Sequence, residues 1–219
     1  CVELPNLHKV LTDHGAFREL AESLAEGARL LLADLAGRLP GTAVVLQLDE
    51  PALPQVLAGQ VPTPSGYGTV RALPEPVAEA ALAGVLTTAE AGHRVLHCCG
   101  SDVPYRLFAA AGADAVSVDA GLIRDADLDA IGTVLDQGLG LWLGVLPGTD
   151  AELVAGQLSP AAITDRVRRL WGKLGFEPQL LAEQVVLSPS CGLAGASMPY
   201  VRKAIATLRD AARSLLEDS

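Results

Sequence analysis

The feature that most constrains this chain is a repeated alternation of short apolar runs with helix-length segments. Five runs stand out: Ala43-Val44-Val45-Leu46-Gln47-Leu48, residues 94–98, Ala115-Val116-Ser117-Val118, Leu141-Trp142-Leu143-Gly144-Val145-Leu146 and Val185-Val186-Leu187. Each is strand-sized and lacks the strict in-out alternation of a sheet with one wet face, so each reads as a strand covered on both sides. A helix is predicted over 13–37, opened by Asp13 and faced by Phe17, Leu20, Leu24, Leu31 and Leu35. Others are predicted over 76–91, 125–137, 161–174 and 199–216, and a short one carries Pro104 in its first turn with Leu107, Phe108 and Ala111 buried. Ser159-Pro160 suits the start of the 161–174 helix, because serine can cap and proline tolerates the first helical position. Residues 57–73 hold Gly59, Pro62, Pro64, Gly66 and Gly68 and read as a long irregular loop, either a lid around Tyr67 or a surface excursion.

Strands joined by helical crossovers form a parallel sheet, and no Gly-x-Gly-x-x-Gly follows any of them. The expected fold is therefore α/β of the (β/α)8 TIM-barrel type, a single domain over 1–219, in preference to a dinucleotide-binding fold. A closed barrel takes eight strands and about 250 residues, so five strands that begin after a helix correspond to about the last five β/α units. The N-terminal units are expected to be missing from the chain, or the sheet to be completed by self-association with a second copy. Cys1 in place of an initiating methionine fits a trimmed start.

Half of the 219 residues are hydrophobic, enough for a substantial core, and the net charge is −10. With no Lys/Arg cluster offsetting that excess, neither nucleic acid nor an anionic membrane is an expected partner; a small molecule is. No run reaches membrane-span length and no charged-then-apolar leader opens the chain. Four cysteines in so long a chain do not form a disulfide framework, which points to reduced thiols and a cytoplasmic location.

Those cysteines matter for where they fall. In His97-Cys98-Cys99, at the end of the second strand, the period of two puts His97 and Cys99 on one side and Cys98 on the other, in the core. Cys191 follows the fifth strand in Ser188-Pro189-Ser190-Cys191-Gly192-Leu193, and Asp119 follows the third. An imidazole, two thiols and a carboxylate at the carboxyl ends of separate parallel strands are candidate zinc ligands placed where such folds build their sites. Each also has a plainer reading: His97 as a strand-end histidine, Asp119 as a helix cap, and Asp49-Glu50 as a turn stopped by Pro51. Glu50 remains an unassigned neighbour of Asp49. His93 belongs at the opposite, stabilising end of its strand, and His8 and His14 on the surface. Trp142 and Trp171 are core groups, and Arg166, Arg168 and Arg169 a solvated helix face.

Three motifs together resemble the catalytic domain of cobalamin-independent methionine synthase, within the uroporphyrinogen decarboxylase-like barrels. Gln47-Leu48-Asp49-Glu50-Pro51-Ala52-Leu53 is similar to that family's Q-I-D-E-P-A-L segment, His97-Cys98-Cys99 to its H-x-C zinc pair, and Pro189-Ser190-Cys191-Gly192-Leu193 to its P-x-C-G-L zinc cysteine. The resemblance implies a zinc-dependent methyltransferase acting on the thiol of homocysteine, for methionine synthesis, or on a related thiol. It implies Zn2+ held by His97, Cys99 and Cys191, with Asp119 where the family has a glutamate ligand, and Asp49 paired with the homocysteine ammonium. The implied methyl donor is a folate. Three departures open the alternative of a methylated corrinoid protein. Gln55 stands where the family's folate contact is acidic, and the turn after the fourth strand holds no histidine, the family's proposed proton donor. Neither the N-terminal strands that help hold homocysteine in the family nor the additional folate-binding half of its long members is expected in this chain. The rival readings are a non-catalytic or truncated relative, and a uroporphyrinogen decarboxylase-like enzyme without metal.

Overall fold

A computed structural model describes residues 2–88, 91–153 and 156–217; Cys1 lies outside them, as do residues 89–90 at the end of the helix expected over 76–91. Five strands and eight α-helices are found among the described residues. The strands are β1 (Val45–Asp49), β2 (His93–Cys98), β3 (Ala115–Asp119), β4 (Gly140–Leu146) and β5 (Val185–Pro189). They lie in one sheet in sequence order, parallel in the pairs β1–β2, β3–β4 and β4–β5. All five expected strands are present, in an α/β fold whose parallel sheet alternates with helices. The chain divides into two compact units, Cys1–Cys98 with Arg106–Asp114, and Cys99–Tyr105 with Ala115–Ser219.

In the first unit, Asp13 caps α1 (His14–Arg38) through its Oδ1, which accepts from the Ala16 N–H at 3.0 Å. This helix packs on α3 (Glu75–Thr88), which buries Ala78, Leu82, Val85 and Leu86 at helical spacing. The apolar face expected of α1 is only partly used. Ala25 and Leu32 are its buried residues, while Leu20, Leu24 and Leu31 are exposed. Periodicity identifies an apolar face but says nothing about what covers it.

The expected irregular stretch after β1 has structure of its own. A five-residue helix, α2 (Leu53–Leu57), opens on Leu53-Pro54, and Val61 and Val70 exchange a backbone hydrogen bond across a small hairpin. Val56, Val61 and Val70 form a separate small core with Leu11 and Leu73 against it, and Tyr67 at the tip is 98 % exposed. In β2, Val95, Leu96 and Cys98 are fully buried, as is Phe108 of α4 (Tyr105–Ala110). Pro104 immediately precedes α4 instead of occupying its first turn. His93 opens β2, at the end away from His97. Beside it the Arg94 guanidinium forks onto Asp114 at 2.8 and 2.9 Å, and the Arg94 N–H donates to the same carboxylate.

In the second unit β4 pairs with β3 and β5, and α6 (Pro160–Leu174) packs on α8 (Met198–Glu217). Ile163, Val167 and Trp171 of α6 are buried, as are Tyr200, Ala204, Leu208, Ala211 and Leu215 of α8. Ser159 does occupy the N-cap of α6, but its side chain makes no capping bond; Pro160 at the first position starts the helix instead. Gly175, at φ 78°, ends it in the left-handed conformation. The Trp171 indole N–H then donates to the Glu177 carbonyl at 3.0 Å. Arg166 is not merely solvated, because its Nη1 donates to the Val145 carbonyl at 3.2 Å. The helix α5 (Leu128–Asp136) follows a 3-10 turn over Asp125–Asp127, and α7 (Pro178–Gln184) precedes β5. No described helix is long and apolar enough to cross a membrane.

Candidate metal centre

His97 is the next-to-last residue of β2 and only 5 % exposed. The strand period sends Cys98 into the core and brings His97 and Cys99 to the same side. The backbone of His97 is pinned from β1, since the Glu50 N–H donates to its carbonyl at 2.7 Å and Asp49 is its partner in the ladder. The loop after Cys99 is pinned as well. Asp102, at φ 60°, accepts from Arg124 Nη2 at 2.7 Å, and Arg124 also forks onto Asp127 at 3.0 and 3.2 Å.

Cys191 sits in the turn that leaves β5. One ligand atom each from His97, Cys99 and Cys191 lie within 4.8 Å of one another. Around a tetrahedral zinc, with Zn–S of about 2.3 Å and Zn–N of about 2.0 Å, neighbouring donors stand roughly 3.5 to 3.8 Å apart. The three groups are therefore separated by little more than a shared cation requires, and one imidazole with two thiols is a donor set that zinc prefers over harder cations. Cys191 is exposed, Cys99 half-buried and His97 buried.

Asp119 ends β3 across from Gly144, outside the three-residue group. Its Oδ1 accepts from the Gly121 N–H at 2.7 Å, so the carboxylate makes a local turn. Asp49 is exposed at the end of β1, and its Oδ1 accepts from Gln47 Nε2 at 2.8 Å. Gln47 was not singled out from sequence, although its spacing of two from Asp49 put both on one face of the strand. Glu50 is half-buried, and burial pushes its carboxyl above the ordinary range, with the neighbouring Asp49 charge adding to the effect. Gly144 and Gly148, beside the Cys191 turn, were also missed; for Gly144, a glycine inside a strand run was the available signal.

Among known families, the one described as the catalytic domain of cobalamin-independent synthase matches residues 3–214. No curated protein matches the chain.

Proposed function

The chain belongs to the family of cobalamin-independent synthase catalytic domains, and from that premise we propose that it is a zinc-dependent methyltransferase whose acceptor is the thiol of homocysteine or a related thiol. The observation that carries the reading is the convergence of His97, Cys99 and Cys191 within 4.8 Å. In this reading the fold is of the (β/α)8 barrel type, a single domain with five β/α units in this chain, working in the cytoplasm.

His97, Cys99 and Cys191 would hold Zn2+, with Asp119 as the candidate fourth ligand and the substrate thiol as the group the site would take. Zinc supplies one thing: it lowers the pKa of a bound thiol so that the sulfur is a nucleophilic thiolate at neutral pH. The protein supplies the rest. Two cysteine thiolates among the ligands keep the local charge low, and the buried face of His97 fixes its ring. Asp49, held by Gln47, pairs with the substrate ammonium and aims the thiol. The thiol proton passes to solvent, the S–CH3 bond forms, and the bond from methyl to its donor breaks with the electron pair leaving on the donor. That donor is a methylated folate or a methylated corrinoid protein. Gln55, exposed on α2, is the neutral residue that favours considering the second.

A second reading, a non-catalytic relative, rests on the turn Val145-Leu146-Pro147-Gly148-Thr149-Asp150, which offers no histidine as proton donor. Metal analysis of the purified chain and a Cys191→Ala variant separates the two. About one zinc per chain, lost in the variant, supports the methyltransferase; no metal in either supports the non-catalytic reading and removes the proposal.

A further inference from the structure

We propose that Gly144 and Gly148 are positioning residues for Cys191: the bare backbone of β4 and of the turn after it is a template on which the Cys191 turn is laid, fixing where its sulfur stands. The inference rests on the zinc reading above. A Cβ at Gly144 would lie 2.4 Å from Ser190 Cα, 3.0 Å from Ser190 N and 2.9 Å from the Val118 carbonyl oxygen. At Gly148 it would lie 3.0 Å from the Gly192 carbonyl oxygen and 3.7 Å from Cys191 Cβ. A Cβ at Gly144 would overlap Ser190 and one at Gly148 would crowd the Gly192 carbonyl, so the residues on either side of Cys191 would have to give way. Cys191 itself would be met at ordinary contact distance. Neither glycine has a positive φ. Space, not dihedral freedom, is what demands glycine here.

The contact has its own fastening. The Ser190 N–H donates to the Leu146 carbonyl at 2.7 Å, just past the point where the β4–β5 register shifts between Gly144 and Leu146. That shift sets an extra residue, Val145, on β4 against the step from Ser188 to Pro189 of β5. On the other side the turn after β4 cannot retreat, because the Tyr200 hydroxyl donates to the Pro147 carbonyl at 2.7 Å and the Ser197 N–H donates to Asp150 Oδ1 at 3.2 Å. Metal-ligand distances tolerate only about 0.2 Å of error. A methyl group at Gly148 must displace its neighbours by a comparable amount, so it is felt at the sulfur while leaving the core intact.

The test is Co2+ titration of the purified chain, read by thiolate-to-cobalt absorption, with thermal melting as the check on folding. Gly148→Ala is expected to weaken Co2+ binding about tenfold or more, the usual cost of disturbing a residue that supports a ligand. Gly172→Ala in α6, where a Cβ meets nothing within 4 Å, controls for the substitution and should bind as the parent does. Tyr200→Phe, which releases the Pro147 carbonyl and keeps the ring, is expected to weaken binding in the same direction by a smaller factor. Parent-like affinity in a folded Gly148→Ala overturns the proposal while leaving the zinc reading standing; if that variant does not fold, parent-like affinity in Tyr200→Phe overturns it. A parent chain that takes up no Co2+ overturns the zinc reading and this proposal together.

Discussion

Asp49 and His97 stand opposite each other in the parallel ladder of β1 and β2, with the Glu50 N–H donating to the His97 carbonyl at 2.7 Å. Partners in adjacent strands are about 4.8 Å apart and project to the same side of the sheet. A carboxylate and a candidate metal ligand are thereby presented side by side.

If Asp49 grips the substrate ammonium, Asp49→Asn removes the charge but keeps the shape. The expected outcome is a rise in the KM for homocysteine of roughly 30-fold, corresponding to about 2 kcal/mol for losing one side of a charged pair. Gln47→Ala, which leaves Asp49 charged but unheld, should raise KM by a smaller factor. Steady-state kinetics with homocysteine varied at saturating donor measures both, and an unchanged KM in Asp49→Asn removes the assignment.

Acid stability should depend on Asp114. The hydrogen bonds from Arg94 hold its carboxyl below the ordinary aspartate value of 3.8. A carboxyl depressed in the folded state contributes stability that is present above its unfolded pKa and is lost as pH falls through the folded one. Chemical denaturation between pH 7 and pH 2 should therefore show stability falling below about pH 4, and Asp114→Asn should be less stable at pH 7 by about 1 kcal/mol, the pair being partly screened by solvent, with a shallower acid limb. Parallel acid limbs in the two proteins would contradict this.

The exposed face of α1 makes a sharp contrast with the core. Phe108 is 0 % exposed, and Phe108→Ala should cost about 3 to 5 kcal/mol in urea denaturation. Leu24 is 51 % exposed, and Leu24→Gln should shift stability by no more than about 0.5 kcal/mol. A core-sized loss at Leu24 would show that the α1 face is covered in solution.

The strands, their parallel relation and the long helices were legible in the sequence because each is a run long enough to carry a period, and a connection of crossover length forces parallel neighbours. His97 and Cys99 sharing a side followed from the strand period alone, as did the burial of Cys98. The short helices α2 and α7 were not legible: α2 is five residues at the head of a Pro/Gly-rich stretch and α7 seven residues running straight into β5, and neither shows an apolar face as six-residue α4 does. Local chemistry also competed unseen, as where Gly121 takes the Asp119 carboxylate and where a prolyl start makes the Ser159 cap unnecessary. By itself the sequence determined which residues are ligand-capable and which strand end each occupies. That a ligand atom of Cys191 lies within 4.8 Å of those of His97 and Cys99, and that the bare backbone at Gly144 and Gly148 leaves room for the Cys191 turn, only the tertiary structure decided, because residues far apart along a chain are brought together by tertiary packing and by no property of their own sequence neighbours.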